Sequence, residues 1–132
     1  MSREEHIDYW RRQALDDWET VEVLYRGKKY LQSLFWLHLT IEKLCKAVWI
    51  ANNKDTVPPR IHNLLRLLNN SNVRATEEHT ILMVELNRFQ LEGRYPNYIA
   101  DLQTTITSEL VVDYMMRSKS LKEWLLSQLP SN

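Results

Sequence analysis

Residues 30–51 read Tyr30-Leu31-Gln32-Ser33-Leu34-Phe35-Trp36-Leu37-His38-Leu39-Thr40-Ile41-Glu42-Lys43-Leu44-Cys45-Lys46-Ala47-Val48-Trp49-Ile50-Ala51. The run holds neither Pro nor Gly and mixes strong helix formers with large apolar groups, so it predicts a helix. A helix lying on a protein surface needs only one apolar stripe. Here Leu31, Leu34, Phe35, Trp36, Leu37, Leu39, Ile41, Leu44, Val48, Trp49 and Ile50 spread around most of the circumference, which predicts burial on several sides. The polar exceptions then carry the information, and His38, Glu42 and Lys46 follow one another at four-residue spacing along one ridge. Such a ridge either faces a solvent-filled groove that takes a ligand or closes as a packed polar network with groups such as His62 or Arg94. Unpaired burial of these charges would be too costly.

The flanking sequence supplies the neighbours. From residue 4 to 26, Ile7, Trp10, Ala14, Trp18, Val21 and Tyr25 recur at spacings of three and four and define one face of an amphipathic helix. Asp17 lies on the edge of that face, placed to point into a cleft, whereas Asp16, Glu19 and Glu22 read as solvated. Gly27 stops this helix, and the short Gly27-Lys28-Lys29 link predicts an antiparallel hairpin with the next. Turn formers and paired prolines, Asn52 to Pro59, end the long helix. A short apolar helix follows over 61–68, then a break at 69–72. Thr76 caps a further helix running to about residue 91. Gly93 and Pro96 make 92–98 non-helical, and a last amphipathic helix runs from about residue 107 until Pro130 ends it. With no strand pattern, the expectation is an all-α, up-and-down bundle of four to five main helices forming one domain over 1–132.

Composition narrows the function classes. The formal net charge is zero, so the overall balance predicts no polyanionic partner and gives no evidence for DNA binding, while leaving room for a local basic patch. The single cysteine, Cys45, excludes a disulfide within the chain and reads as a small core hydrophobe. The start Met-Ser-Arg-Glu-Glu-His lacks the apolar core of a signal peptide, and no apolar run approaches the ~20 residues that span a bilayer. A soluble, cytoplasmic protein without membrane contact is expected. His6, His38, His62 and His79 include no i, i+4 pair, so no metal site is predicted, and His6 and His79 read as solvated. No Gly-rich phosphate loop or nucleophile elbow suggests a cofactor or an independent enzyme. Trp124, Leu125 and Leu129, with Tyr114 and Met115, read as core or, for the outermost of them, as a dimer seam.

Three segments in order carry a family resemblance: His38-Leu39-Thr40-Ile41-Glu42-Lys43-Leu44-Cys45-Lys46-Ala47, then His62-Asn63-Leu64-Leu65-Arg66-Leu67-Leu68, then Leu86-Asn87 leading to Arg94-Tyr95-Pro96. Together they resemble a HEPN domain over nearly the whole chain. The resemblance implies a small helical bundle, often a homodimer, standing beside a minimal nucleotidyltransferase, several such pairs acting as toxin and antitoxin. In the ribonuclease branch of the family, an Arg followed by a His after four to six intervening residues forms the site, two sites facing each other across the dimer. The Arg holds the scissile phosphate and the His moves protons for 2′-hydroxyl attack.

This chain keeps Arg94 but has Ile99, Ala100 and Asp101 where that His belongs, and no histidine follows His79. Asp101 is a poor substitute, because an ordinary carboxylate is ionised near neutrality and has no proton to give. The expected function is therefore a non-catalytic or weakly active helical partner of a nucleotidyltransferase, with a groove contacting nucleotide or RNA. Two alternatives stand beside it: a metal-independent endoribonuclease using Arg94 with His62 as a displaced proton carrier, and a purely structural dimeric adaptor. The candidate ligand-contacting residues are Arg94, Tyr95, His38, Glu42, Lys46, His62 and Asp17. Arg94 beside an aromatic suits a phosphate or a carboxylate; its other reading is a loop staple, Arg94 on helix-terminal carbonyls and Tyr95 packed on the bundle.

Overall fold

A computed structural model describes residues 1–131. Helix α1 (Arg3–Arg26) opens on a capping box in which the Ser2 hydroxyl accepts from the Glu5 amide and the Glu5 carboxylate accepts from the Ser2 amide. It ends at Gly27, but the left-handed residue of the turn is Lys28, at φ 60°. Helix α2 (Tyr30–Asn52) returns antiparallel along α1, and the Ser33 hydroxyl donates to the Val21 carbonyl across the seam at 3.0 Å. At the open end of this hairpin the Arg3 guanidinium donates to the carbonyls of Ile50, Asn53 and Lys54.

The remaining elements wrap α2: α3 (Leu64–Asn69), α4 (Glu77–Leu86), a 3-10 turn (Asn87–Phe89), α5 (Pro96–Thr105) and α6 (Ser108–Ser127). Helix α2 touches α1, α3, α4, the 3-10 turn and α6, and most of its apolar residues are enclosed as their distribution predicts, while Phe35, Trp36, Leu39 and Trp49 stay partly exposed. Leu34, Leu37, Ile41, Leu44, Val48 and Ile50 are fully buried. Each such side chain contributes roughly 1.5–3 kcal/mol relative to exposure. Cys45 is buried among them, and burial pushes its thiol pKa up, out of the reactive range.

The described residues form six α-helices and no strand, one helix more than the sequence pattern predicts. The extra one is α5, where Pro96 does not break a helix but starts one: it occupies the first turn, which needs no N–H from it, and Tyr95 before it is extended as a pre-proline residue should be. Only 92–95 of the stretch 92–98 is therefore non-helical. Two boundaries also move. Helix α3 starts at Leu64, because the Asn63 side chain caps the Arg66 amide, and α4 ends at Leu86, handing over to the 3-10 turn instead of continuing to residue 91. Thr76 caps α4 as expected, through the His79 amide. His79 is not solvated; it is half-buried, with Nε2 3.2 Å from the Ser120 hydroxyl and its ring 5.8 Å from that of Trp124. No described helix is long and apolar enough to cross a membrane.

Candidate functional site

The ridge on α2 closes as a network. His38 is fully buried, and its Nε2 lies 3.0 Å from the His62 carbonyl oxygen, which requires Nε2 to carry the proton and donate it. Burial lowers the His38 pKa, opposed by the charge of Glu42. Its Nδ1 stands 3.9 Å from Glu42 Oε1, beyond hydrogen-bond reach. Glu42 divides its two oxygens, Oε2 accepting from Lys46 Nζ at 3.1 Å and Oε1 from His62 Nδ1 at 2.9 Å. Lys46 completes its shell over the Trp10 ring, 5.2 Å from the centroid. His38, Glu42 and Lys46 are therefore engaged with protein groups, and the network meets solvent at His62, whose side chain is 49% exposed. With Nδ1 donating to the carboxylate, Nε2 of His62 is the nitrogen left for another partner.

Asp17 sits elsewhere. It is buried in α1 and its Oδ2 lies 2.7 Å from Lys43 Nζ of α2, an ion pair that seals the hairpin, so the cleft its position suggests is not there. Burial raises the Asp17 pKa, an effect that the nearby Lys43 opposes.

His62 and Arg94 meet at a cleft of about 210 Å³ that Asn63, Asn87 and Gln90 also line. Asn63 caps α3, and Asn87 Oδ1 accepts from the Leu64 amide at 3.0 Å, which fixes the 3-10 turn against the start of α3. Gln90 Oε1 accepts from the Glu92 amide at 2.7 Å, while its amide nitrogen is buried without a partner. Arg94 Nε donates to the Gln90 carbonyl at 3.1 Å, and its guanidinium lies 4.2 Å from the centroid of the Tyr98 ring. Tyr98 is itself anchored, its hydroxyl donating to the Arg88 carbonyl at 2.7 Å. The guanidinium plane is thus oriented while both terminal nitrogens have no partner among the described residues.

Of the sequence candidates, the structure brings His62 and Arg94 to one cleft, with Glu42 and then His38 and Lys46 behind His62. Asp17 is separate. Tyr95 is 83% exposed and does not pack on the bundle; Tyr98, one turn later, takes the place against Arg94. Sequence reasoning missed Asn63, Asn87, Gln90, Tyr98 and Lys43. Asn63 was findable as an N-cap before an apolar run. Asn87 carries no local signal, because its partner, the Leu64 amide, lies 23 residues away, and the bonds of Gln90 to Glu92 and Arg94 depend on a loop conformation that no residue pattern announces. Chemically the cleft offers the terminal N–H donors of Arg94 and an imidazole held by a carboxylate, a set suited to phosphate oxygens. Among the described residues no cluster of three His, Cys, Asp or Glu side chains is placed to hold a metal ion.

Comparison with known proteins agrees with this architecture. The family model described as HEPN domain matches residues 7–128. No curated protein and no solved structure matches the chain. A match of that extent, on a bundle of six α-helices among the described residues, means that this chain belongs to the HEPN domain family.

Proposed function

We propose that the cleft between His62 and Arg94 binds the phosphate of a nucleotide or RNA without cleaving it, in a chain that works as a homodimer and as the helical partner of a minimal nucleotidyltransferase in a toxin–antitoxin-like pair. The observation that carries the binding is the posture of Arg94: Nε and the guanidinium face are committed to Gln90 and Tyr98, and the two terminal nitrogens have no partner among the described residues. A guanidinium held this way loses little further freedom when it grips a phosphate bidentately. The partner rests on family membership.

A second reading, the endoribonuclease, has one specific observation in its favour. Glu42 holds His62 by Nδ1 in the cleft that Arg94 also lines, so Nε2 is disposed as a base. In that reading the 2′-hydroxyl proton passes to His62 Nε2, the 2′-oxygen attacks phosphorus, and the 5′-oxygen leaves with a proton from water. Against it stands the lack of any histidine after Arg94 to serve as the acid.

Calorimetry with AMP and with a short RNA decides. Arg94→Ala should weaken binding roughly 10- to 100-fold, the value of charge-assisted hydrogen bonds, with the melting temperature unchanged. Wild-type protein that binds neither ligand, or an Arg94→Ala variant that binds as wild type, overturns the reading in favour of the structural adaptor. RNA cleavage lost in both Arg94→Ala and His62→Ala installs the ribonuclease instead.

A further inference from the structure

Two helices of ten residues, α4 and α5, differ in how they are held. Helix α4 buries Leu82, Met83 and Leu86, takes a side-chain cap from Thr76 and carries Glu77 and Glu78 in its first turn. Helix α5 buries Leu102 alone. Tyr98 and Ile99, with Ile106 just beyond the helix, are only partly covered. Its first turn has no side-chain cap and no carboxylate, its last turn has no basic residue, and the Thr104 and Thr105 hydroxyls turn back on the carbonyls of Asp101 and Leu102. A helix shorter than about 12–15 residues is marginal by itself, so α5 depends on packing that it largely lacks.

The chain on either side is fixed. Before α5, Phe89 is fully buried with its ring 5.3 Å from that of Tyr114, and Asn87 is bonded to the Leu64 amide. After it, the Thr107 hydroxyl caps α6 through the Leu110 amide at 3.1 Å, and Ser108 Oγ lies 3.0 Å from the Tyr25 hydroxyl. Gly93 takes φ 76° with nothing within 4 Å of where a Cβ would stand, so the left-handed turn and not crowding calls for glycine there. At the far end a cleft of about 270 Å³ lies between Lys28, Lys29 and Gln32 on one side and Gln103 and Ile106 on the other. At the near end Tyr98 makes the one polar tie to the body, its hydroxyl on the Arg88 carbonyl and its ring against the Arg94 guanidinium.

We infer that α5 is a strap, hinged at Gly93 and Ile106, that undocks as one unit while the rest of the bundle stays folded, and whose docked state holds the Arg94 guanidinium in place. The strap stands whatever the cleft binds. A ligand that grips the terminal nitrogens of Arg94 in this posture favours docked α5, and undocking α5 weakens its hold by the same factor.

Hydrogen exchange of the full chain, followed by NMR, tests it. After correction for intrinsic rates, the amides of α5 should exchange at least about 100-fold faster than those of α4, as two fewer buried side chains imply. Tyr98→Phe, which loses only the bond to Arg88, should speed α5 alone by roughly 2- to 10-fold. In Leu102→Ala the α5 amides should approach unprotected rates while those of α1, α2 and α6 keep theirs. The Arg94 Nε–H signal, displaced by the Tyr98 ring, should move in Leu102→Ala to the position of a free arginine and stay near its wild-type position in Tyr98→Phe. Protection of wild-type α5 equal to that of α4, or a Leu102→Ala variant whose helices all exchange faster together, overturns the strap. An Arg94 signal that does not move when α5 loses protection overturns its hold on Arg94.

Discussion

Asp17 and Glu42 are both carboxylates buried at the surface of α2, and they end in different company. Asp17 reaches across from α1 to Lys43 and the chain of contacts stops there. Glu42 gives one oxygen to Lys46 and the other to His62, and His62 continues to a cleft that also holds Arg94. Burial of a charge alone is thus a poor marker of function in this molecule. What separates the two is where the polar route leads, since from Glu42 it passes through His62 to the cleft that Arg94 also lines.

The comparison breaks first at Glu42. Glu42→Ala leaves Lys46 and the Nδ1 of His62 without their acceptor, and chemical denaturation should show a loss of ~1–3 kcal/mol. A change near zero would mean that the network contributes nothing to the fold and would place Glu42 in the same class as a surface ion pair. If ligand binding falls while the melting temperature holds, the ridge serves the cleft and not the core.

A smaller effect separates the two sites by the sign of their pH dependence. Burial depresses the pKa of His38, so the unfolded chain takes up a proton near pH 6.5 before the folded one does, and stability is lost as pH falls through that value. Melting temperatures followed from pH 7.5 downward should drop faster in wild type than in His38→Gln, which removes the titrating ring. Parallel curves would show that His38 does not titrate differently in the two states.

The smallest effect belongs to Asp17, and it runs the other way. Burial raises its pKa above 3.8, so the folded chain holds the proton more tightly, and the stability linked to this group declines as pH rises through the interval between 3.8 and its folded value. The stability of wild type relative to Asp17→Asn should therefore decrease across that interval. An increase would mean that Lys43 outweighs burial and that the pair is a net stabilising bridge.

The helical scaffold was legible because its cause is local. The spacing of Ile7, Trp10, Ala14, Trp18 and Val21 and the all-round apolar surface of α2 fix two helices and their antiparallel order, and Thr76 marks a cap by its chemistry. The cause of α5 is local too, but its signal is ambiguous: a proline such as Pro96 breaks a helix in its interior and is equally at home on a first turn. The cleft was legible only in part. Residues with unusual chemistry, Arg94, His62 and Glu42, stood out, while Gln90, whose buried amide matters because of what surrounds it, looked like any loop glutamine. Tyr95 and Tyr98 were indistinguishable before the backbone turned one outward and the other under Arg94.

The clasp between Arg3 and the end of α2 has a consequence for how the molecule opens. The last carbonyls of a helix have no partner within it, and here that of Ile50, with those of Asn53 and Lys54 just beyond the helix, is met from the first turn of the neighbouring helix. Fraying of α1 at its beginning therefore strips α2 at its finish. The two ends, nearly fifty residues apart in sequence, are thereby coupled, and hydrogen exchange should find their amides opening together; protection at one end while the other exchanges would break that link.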